Sequence, residues 1–256
     1  MRTADELREV FEAYLGTLPL APELGRLEEV MRYALDSGGK RVRPVLCLAV
    51  ADATRGAVAR ALPAAAALEL VHTFSLVHDD LPALDDDAER RGRPSTHVRY
   101  GDGVALLAGD ALLAEALRLA LSYDDPVIAR ELTDATVGMI GGQHRDILGD
   151  VHDLAEVERL KTGRLFSASV GLALNAVGVP LAEQGPWRSF GDELGPLFQV
   201  VDDILDEDGF AERLGAEQAR RLADDAAERA RKRLERLSAD TSVLRDLVDG
   251  LAVRTR

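Results

Sequence analysis

An all-α fold is predicted by two features of the 256-residue sequence. Long stretches rich in alanine and leucine, such as residues 63–80 and 212–237, carry apolar residues at helical spacing. Runs of valine, isoleucine and threonine that alternate with polar residues are nearly missing, so strands are not expected. Hydrophobic residues make up 46% of the chain and charged residues 30%, which is typical of a folded globular protein.

Amphipathic periodicity and breaker residues then place the helices in order. Helices are expected at residues 3–16, 23–37, 42–54, 63–80, 103–121, 125–149, 153–176, 186–207, 212–237 and 242–253. Breakers such as "LPLAP", "SGGK", "RGRPS" and "VGVP" fall in the gaps. Pro63 and Pro186 are expected in first helical turns, where proline is tolerated, whereas Pro196 predicts a kink. No flexible linker divides the chain, so residues 1–256 are expected to form a single domain.

Composition excludes several classes of function. The net charge of −14 argues against nucleic-acid binding, which needs a cationic face, although local basic clusters still permit anionic ligands. The lone cysteine, Cys47, lies in the apolar run "PVLCLAV" and is expected to be buried. The charged N-terminus does not resemble a signal peptide, and no apolar run reaches the roughly 18 residues of a membrane span. A cytoplasmic protein is therefore expected.

The first acidic cluster, "DDLPALD", follows a long apolar run. Asp79 and Asp80 are expected to end a helix, because Pro82 disrupts its continuation. The disruption lets Asp85 turn back toward Asp79, which a straight helix would not allow at a spacing of six residues. Acidic helix ends are common, so this cluster alone is weak evidence for a site.

A second cluster, "FQVVDDILDEDG", also follows an apolar run, about 120 residues later. Asp202 and Asp206 are four residues apart and share a helix face, with Asp203 beside them. Two such clusters fit two helices that face each other across a cavity. Carboxylates at the mouth of an apolar crevice need charge compensation, and Mg²⁺ is often bound by one or two carboxylates together with substrate phosphates.

Basic residues near the breakers complete the pattern. "SGGKRVRP" supplies Lys40 and Arg43 after two glycines, "ERRGRP" supplies Arg90 and Arg91, and "LKTGRL" contains Lys161. Arginine recognises phosphate oxygens with two parallel hydrogen bonds, and glycine lets the backbone approach them. Each group is ordinary singly, but together with the acidic clusters they predict a site for a metal-bridged diphosphate.

These residues resemble the trans-isoprenyl diphosphate synthases, or polyprenyl synthetase family, from about Leu15 to the C-terminus. Six motifs in the family's order carry the resemblance: "GGKRVRP", "ELVHTFSLVHDDLPALDDDAERRGRPSTH", "LAGDALL", "GGQHRDI", "KTGRLF" and "FQVVDDILD". The resemblance implies the isoprenoid synthase fold, a bundle of about ten helices around a central apolar cavity. It also implies a homodimer that binds about three Mg²⁺ ions per active site.

The resemblance further implies a role for each matching residue. The metal ligands would be Asp79, Asp80, Asp85, Asp202, Asp203 and Asp206. Arg90 and Lys161 would hold an allylic diphosphate. Isopentenyl diphosphate would be bound by Lys40, Arg43, His72 and Arg91. Thr162, Gln199 and the Lys161 carbonyl would face the allylic cation, with Gln143 and Asp146 in support. Catalysis would then rest on Lys161, Thr162, Gln199, Asp79, Asp85 and Asp202.

Product length is expected to depend on Phe74 and Ser75, just before the first acidic cluster. By resemblance, an aromatic here with a two-residue insertion in the acidic motif is typical of short-chain bacterial farnesyl-type enzymes. Phe74 would then form a floor that stops the chain near C15, although ordinary core packing explains Phe74 equally well. Farnesyl diphosphate is the expected product, and geranylgeranyl diphosphate is the next candidate.

The sequence also departs from the family pattern. After Asp206 the family usually has a loop of about twenty residues with a lysine that closes the site, and here that loop is missing. Ala88 stands where the first motif usually continues with an acid. A non-catalytic or weakly active partner subunit is therefore one alternative, and a class I terpene cyclase is another. Both acidic motifs oppose the first alternative, and the isopentenyl-site motif "GGKRVRP" and the low aromatic content of 4% oppose the second.

Overall fold

The predicted all-α fold is confirmed in a computed structural model, which describes residues 2–149, 154–206 and 209–253, without the side chains of Asp206 and Val253. The helices are α1 (Ala4–Thr17), α2 (Leu27–Leu35), α3 (Val42–Ala53), α4 (Val58–Asp79), α5 (Thr96–Tyr100), α6 (Asp102–Ala120), α7 (Val127–Ile147), α8 (Leu154–Glu158), α9 (Arg164–Val177), α10 (Leu181–Asp206), α11 (Gly209–Leu214), α12 (Ala216–Leu234) and α13 (Ser242–Val253). A 3₁₀ turn covers Pro22–Leu24, and a π-helical segment, Arg159–Gly163, joins α8 to α9.

Helix α4 lies at the centre of the bundle, in contact with α3, α6 and α9. Its small residues Ala64–Ala67 are fully buried, which lets neighbouring helices approach closely. By length and composition α4 could cross a membrane, but 67% of its apolar window is buried inside the protein. That pattern is typical of a core helix surrounded by other helices. Cys47 on α3 is also fully buried, as expected.

Two prolines lie deeper in their helices than expected. Helix α4 begins at Val58 and α10 begins at Leu181, so Pro63 and Pro186 are interior residues and the first-turn expectation is wrong. At Pro63 the hydroxyl of Tyr123 bridges the interrupted turn. It accepts from the Ala64 N–H at 3.1 Å and donates to the Arg60 carbonyl at 2.6 Å. Tyr123 thus supplies a partner to two backbone groups that bond to each other in a regular helix.

A short hairpin between α4 and α5 was not expected from the sequence. Strand β1 (Glu89–Arg90) pairs antiparallel with β2 (Arg93–Pro94). The two residues between them, Arg91 and Gly92, have φ of 56° and 74°. Positive φ at both central positions is the geometry of a tight type I′ hairpin turn. The hairpin therefore fixes two consecutive arginines, Arg90 and Arg91, just beyond the first acidic cluster.

Candidate active site

A cavity of about 1140 Å³ opens where the C-terminal ends of α4 and α10 meet the π-helical segment. Its lining combines charged side chains with apolar ones such as Phe74, Met139 and Phe198. Four predicted metal ligands line it: Asp79 and Asp85 on one side, Asp202 and Asp203 on the other. The predicted substrate-binding residues also line it, namely Lys40, Arg43, His72, Arg90, Arg91, Lys161, Thr162 and Gln199. Residues that are far apart in sequence are thus brought together.

The first acidic cluster folds back as the sequence predicts. The Asp85 N–H donates to the Asp79 carbonyl at 2.9 Å, so the chain reverses direction around Pro82. Burial raises the pKa of Asp79 to about 6. Lys161 opposes that rise, whereas the nearby charges of Asp85 and Asp80 add to it. Ionised Asp79 is therefore destabilising until a cation compensates its charge.

Asp80 has a different position from its neighbour. Its side chain is only 3% exposed, and Asp80 lines a small crevice beside the cavity. Its Oδ1 accepts hydrogen bonds from Arg90, one of them from Nε at 2.9 Å. Arg90 also donates to Asp87 at 3.0 Å. In this geometry Asp80 holds Arg90 at the cavity mouth, and its share in metal binding stays a prediction.

The two aspartates of the second cluster differ in burial. Both Asp202 and Asp203 line the cavity, but Asp203 is buried and both of its carboxylate oxygens accept hydrogen bonds. Oδ1 accepts from Gln199 at 2.6 Å, and Oδ2 accepts from the Phe210 N–H at the start of α11 at 2.8 Å. Asp206 ends α10, and its side chain lies outside the described residues.

These carboxylates fit Mg²⁺ only in combination with a substrate. Among the residues that the structure describes, no three His, Cys, Asp or Glu side chains converge as one metal site. Mg²⁺ usually takes one or two carboxylates and completes its octahedron with phosphate oxygens and water. Asp79, Asp85 and Asp202 supply oxygen ligands of that kind around one cavity.

The glycine pair before α3 positions one of the arginines. Gly39 has φ of 142°, a backbone conformation that residues with a side chain rarely adopt, and a Cβ there would lie 2.5 Å from the Arg91 guanidinium. Arg91 donates to the Gly38 carbonyl. Arg41, in contrast, points inward to bind Glu12 at 2.8 Å and buried Glu69 at 2.5 Å. Arg41 therefore anchors the segment that presents Lys40.

Arg43 is a buried cation beside the cavity. It is 9% exposed and lies over the Phe166 ring, with 4.6 Å between the guanidinium carbon and the ring centroid. Burial lowers its pKa to about 10, so it stays charged at neutral pH. Its Nε is buried and has no hydrogen-bond partner among the described residues. A buried charged donor of this kind is costly alone and fits an anionic ligand.

His72 is neutral in this surrounding. Burial holds its pKa well below the ordinary value, and the positive charges of Arg43 and Arg91 lower it further. A neutral imidazole can donate one hydrogen bond and accept another. His72 therefore adds a polar contact to the arginine cluster without adding charge.

The π-helical segment presents Lys161 and Thr162 because two glycines let other helices pack against it. A Cβ on Gly142 of α7 would lie 2.4 Å from the Lys161 backbone nitrogen. A Cβ on Gly195 of α10 would lie 2.4 Å from the Gly163 Cα. π-Helical turns inside helices are rare and frequent at functional sites. In the sequence, only these glycines pointed to the π-helical segment. Helical periodicity did not reveal it, because that pattern is read from apolar side chains.

A hydrogen-bonded chain connects this segment to α10. The Thr162 hydroxyl donates to Gln199 Oε1 at 2.8 Å, and Gln199 in turn donates to Asp203. Lys161 donates to Asp146 at 2.6 Å. Two side-chain oxygens, from Thr162 and Gln199, are thus held together at the cavity wall. Asp146, to which the resemblance gave a supporting role, forms an ion pair with Lys161, a contact that the sequence did not predict.

Apolar side chains also line the cavity. Phe74 is 7% exposed and lines the cavity on the helix that carries Asp79. Ser75 also lines it, and its hydroxyl donates to the His72 carbonyl at 2.9 Å. Cavity residues to which the sequence assigned no role include His78, Asp110, Leu113, Met139, Ile140, His144 and Ile147. The motifs "LAGDALL" and "GGQHRDI" contain four of these positions, so the signal was present.

An all-helical bundle around a cavity lined by acidic, cationic and apolar side chains has the fold of an isoprenoid synthase. The family model described as Polyprenyl synthetase matches residues 25–228. The chain therefore belongs to the polyprenyl synthetase family, and it is an enzyme of the prenyl-transferring class.

Curated relatives carry names from both short product classes. A geranylgeranyl diphosphate synthase of Cyanophora paradoxa is 39% identical over 202 residues, which cover 72% of this chain and 67% of that protein. A farnesyl diphosphate synthase of Geobacillus stearothermophilus is 37% identical over 205 residues, covering 74% and 69%. Large subunit 1 of a chloroplastic heterodimeric geranylgeranyl pyrophosphate synthase of Arabidopsis thaliana is 43% identical, but the match covers 63% of its length.

Solved structures agree with the isoprenoid synthase fold. A geranyltransferase of Legionella pneumophila superposes with a TM-score of 0.85 at 31% identity, covering 98% of this chain and 96% of that one. A geranyltranstransferase of Thermotoga maritima gives a TM-score of 0.84 at 27% identity, with 98% of each chain covered. The expected fold is thus confirmed over nearly the whole chain.

Proposed function

We propose that the protein is a Mg²⁺-dependent prenyltransferase that condenses isopentenyl diphosphate with an allylic diphosphate into a short all-trans prenyl diphosphate. One observation carries the proposal: carboxylates of the two acidic clusters, a set of cations and apolar side chains line one cavity. A diphosphate needs the charged groups, and a prenyl tail needs the apolar ones. The synthases among the relatives support the same reaction.

The carboxylates would hold about three Mg²⁺ ions, with Asp79 and Asp85 on one side and Asp202 on the other. Bound there, Mg²⁺ would neutralise the negative charge that develops on the departing diphosphate. In this proposal the carboxylates come as two separated groups, so the allylic diphosphate lies between them.

The cations divide between two anionic substrates. Arg90, held by Asp80, and Lys161, held by Asp146, would bind the allylic diphosphate. Arg43, with its buried Nε, would bind isopentenyl diphosphate together with Arg91. Lys40 and neutral His72 would complete that second site. Holding both substrates in one cavity brings the isopentenyl double bond to the allylic carbon.

Oxygen atoms at the cavity wall would stabilise the allylic cation. Thr162 Oγ1 and Gln199 Oε1 are fixed by the hydrogen bonds that end at Asp203, so they need little reorganisation during reaction. The Lys161 carbonyl would contribute a third dipole. The apolar lining excludes water that would otherwise quench the cation, and the released diphosphate would accept the proton lost on condensation.

Product length is proposed to end at farnesyl diphosphate, with geranylgeranyl diphosphate as the next candidate. Phe74 is a large, buried side chain that lines the cavity about one and a half turns of α4 before Asp79, which supports a floor at that depth. Ser75, the second position assigned to chain length, lies beside it.

A cytoplasmic homodimer is proposed as the working form. Apolar residues on α6 and α7 face outward, with Leu107 55%, Val137 64% and Ile140 48% exposed. Exposed apolar side chains that lie together often mark an interaction surface. Ile140 also lines the cavity, so a second copy over this face would help to keep water out. Light scattering of the purified protein tests the homodimer, and a monomer at micromolar concentration would contradict it.

The reaction is tested with purified protein, Mg²⁺, isopentenyl diphosphate and dimethylallyl diphosphate. Chromatography after dephosphorylation should show a longer linear prenyl alcohol. Asp202→Asn should lower kcat by about 10²–10³-fold or more, as expected for loss of an electrostatic contact in the transition state. Asp225→Asn, on α12 and outside the cavity lining, is the matched control and should keep full turnover.

Other outcomes identify the alternatives. Cyclic hydrocarbons would indicate a terpene cyclase. Binding of diphosphate without turnover would favour a partner subunit, a possibility supported by the 38% identity to the small subunit of a chloroplastic heterodimeric geranylgeranyl pyrophosphate synthase of Arabidopsis thaliana. Near-normal turnover by Asp202→Asn would overturn the metal assignment.

A further inference from the structure

His78 lies on the cavity-facing stripe of α4, four residues after Phe74 and next to Asp79. On a helix that spacing places His78 one turn above Phe74, between the floor and the acidic mouth. The two rings meet edge to face, with their centroids 4.9 Å apart and their planes at 73°. That arrangement is a favourable aromatic contact, and it restricts the rotation of both rings.

The opposite helix fixes the His78 ring. Its Nε2 lies 3.0 Å from the Leu106 carbonyl of α6, and because a carbonyl oxygen only accepts, Nε2 donates the proton of this hydrogen bond. The ring also packs directly on Gly109, where a Cβ would lie 2.1 Å from Nε2. His78 is therefore held between α6 on one side and Phe74 on the other.

We propose that His78 is a positioning residue for product length: it holds the Phe74 ring across the cavity and so stabilises the floor that stops chain growth. The inference rests on the proposed synthase function and goes beyond it, because it makes the floor depend on a second residue and on a glycine of another helix. Without the imidazole, Phe74 can rotate into the vacated space and admit another five-carbon unit.

Four variants test the proposal: His78→Ala, Phe74→Ala, the double variant, and Val77→Ala as control. Val77 is buried beside His78 but lines the small crevice with Asp80 instead of the cavity. His78→Ala should raise the ratio of C20 to C15 product by about tenfold or more, the discrimination expected when space in an apolar pocket changes. Val77→Ala should lower the melting temperature and leave that ratio unchanged.

The double variant separates positioning from wall contact. If His78 acts through Phe74, adding His78→Ala to Phe74→Ala should change the product ratio by less than about twofold. Equal changes in both backgrounds would overturn the proposal, since His78 would then act as a wall by itself. An unchanged ratio in His78→Ala would overturn it as well.

Gly109→Ala gives a test of opposite sign. The added methyl group would push the imidazole toward Phe74 and the cavity, so the fraction of long product should fall or stay at the wild-type level. A rise in C20 product would contradict the proposed arrangement.

If wild-type protein makes no prenyl diphosphate, the synthase proposal fails, and the positioning proposal is judged by binding alone. Calorimetry should then show that His78→Ala improves the affinity for geranylgeranyl diphosphate relative to farnesyl diphosphate. An unchanged affinity ratio would reject the positioning role.

Discussion

Replacing Asp79 with asparagine should stabilise the metal-free protein, although it removes a predicted metal ligand. Burial raises the pKa of Asp79 from 3.8 to about 6, so the folded state binds its proton more tightly than the unfolded chain does. Between these two pKa values the free energy of unfolding falls as pH rises, because the unfolded chain has already lost the proton. Above about pH 6 the ionised carboxylate destabilises the fold by its full amount.

The magnitude follows from the two pKa values. A pKa difference of about two units lowers the free energy of unfolding by about 3 kcal/mol near pH 7.5. Near pH 4.5 the loss is about 1 kcal/mol, because this pH lies only slightly above the pKa of the unfolded chain. Residual solvent exposure reduces both figures. Asparagine has the shape of the neutral acid, so Asp79→Asn should gain about 1–3 kcal/mol near pH 7.5 and much less near pH 4.5.

Urea unfolding with a chelator present, at both pH values, measures this difference. The same variant should lose the stabilisation that Mg²⁺ and inorganic diphosphate give the wild type, which is about 2.7 kcal/mol when the ligand is at about 100 times its Kd. Asp225→Asn is again the control and should keep it. A less stable Asp79→Asn in metal-free buffer near pH 7.5 would refute the electrostatic reasoning, as would a gain that did not shrink at low pH.

Three further changes test other parts of the structure. Arg43→Gln should raise the KM for isopentenyl diphosphate by about 10–100-fold, as expected for loss of a charged hydrogen bond, and an unchanged KM in steady-state kinetics would contradict its assignment. Gly142→Ala should lower kcat by about 10²-fold or more, because the added Cβ would collide with the Lys161 backbone. Gly141→Ala is the control, since its Cβ would enter open space and kcat should hardly change. Equal rates in the two variants would argue against the packing explanation. Tyr123→Phe should lower the free energy of unfolding by about 1–3 kcal/mol, because the Ala64 N–H and the Arg60 carbonyl lose their shared partner. Urea titration measures this loss, and a value below about 0.5 kcal/mol would mean that water replaces the hydroxyl.

Much of the helical order was predictable because it rests on local patterns. Apolar periodicity located the long helices to within a few residues in most cases, and Pro82 predicted the reversal that brings Asp85 back to Asp79. The two acidic runs, each after an apolar stretch, predicted opposite sides of one cavity. Lys161 was recognised from its motif, whereas its ion pair with Asp146 was not predicted.

Other features depended on contacts between helices that are distant in sequence. Tyr123 supports the turn at Pro63 from sixty residues away, and a proline alone does not reveal such a partner. Asp80 and Asp203 are aspartates like their neighbours Asp79 and Asp202, yet Asp80 holds Arg90 and Asp203 accepts a hydrogen bond from the start of α11. The direction of each carboxylate depends on which partner the packing brings near.

The sequence by itself determined the all-α fold, the two acidic clusters and the chemistry that they imply, because periodicity and residue type act over a few helical turns. Only the tertiary structure decided which side chains face the cavity. The π-helical segment that presents Lys161 exists where Gly142 and Gly195 let α7 and α10 pack against it. The burial that perturbs Asp79 and Arg43 likewise comes from the surrounding helices, since the cost of a charge depends on everything that excludes water around it.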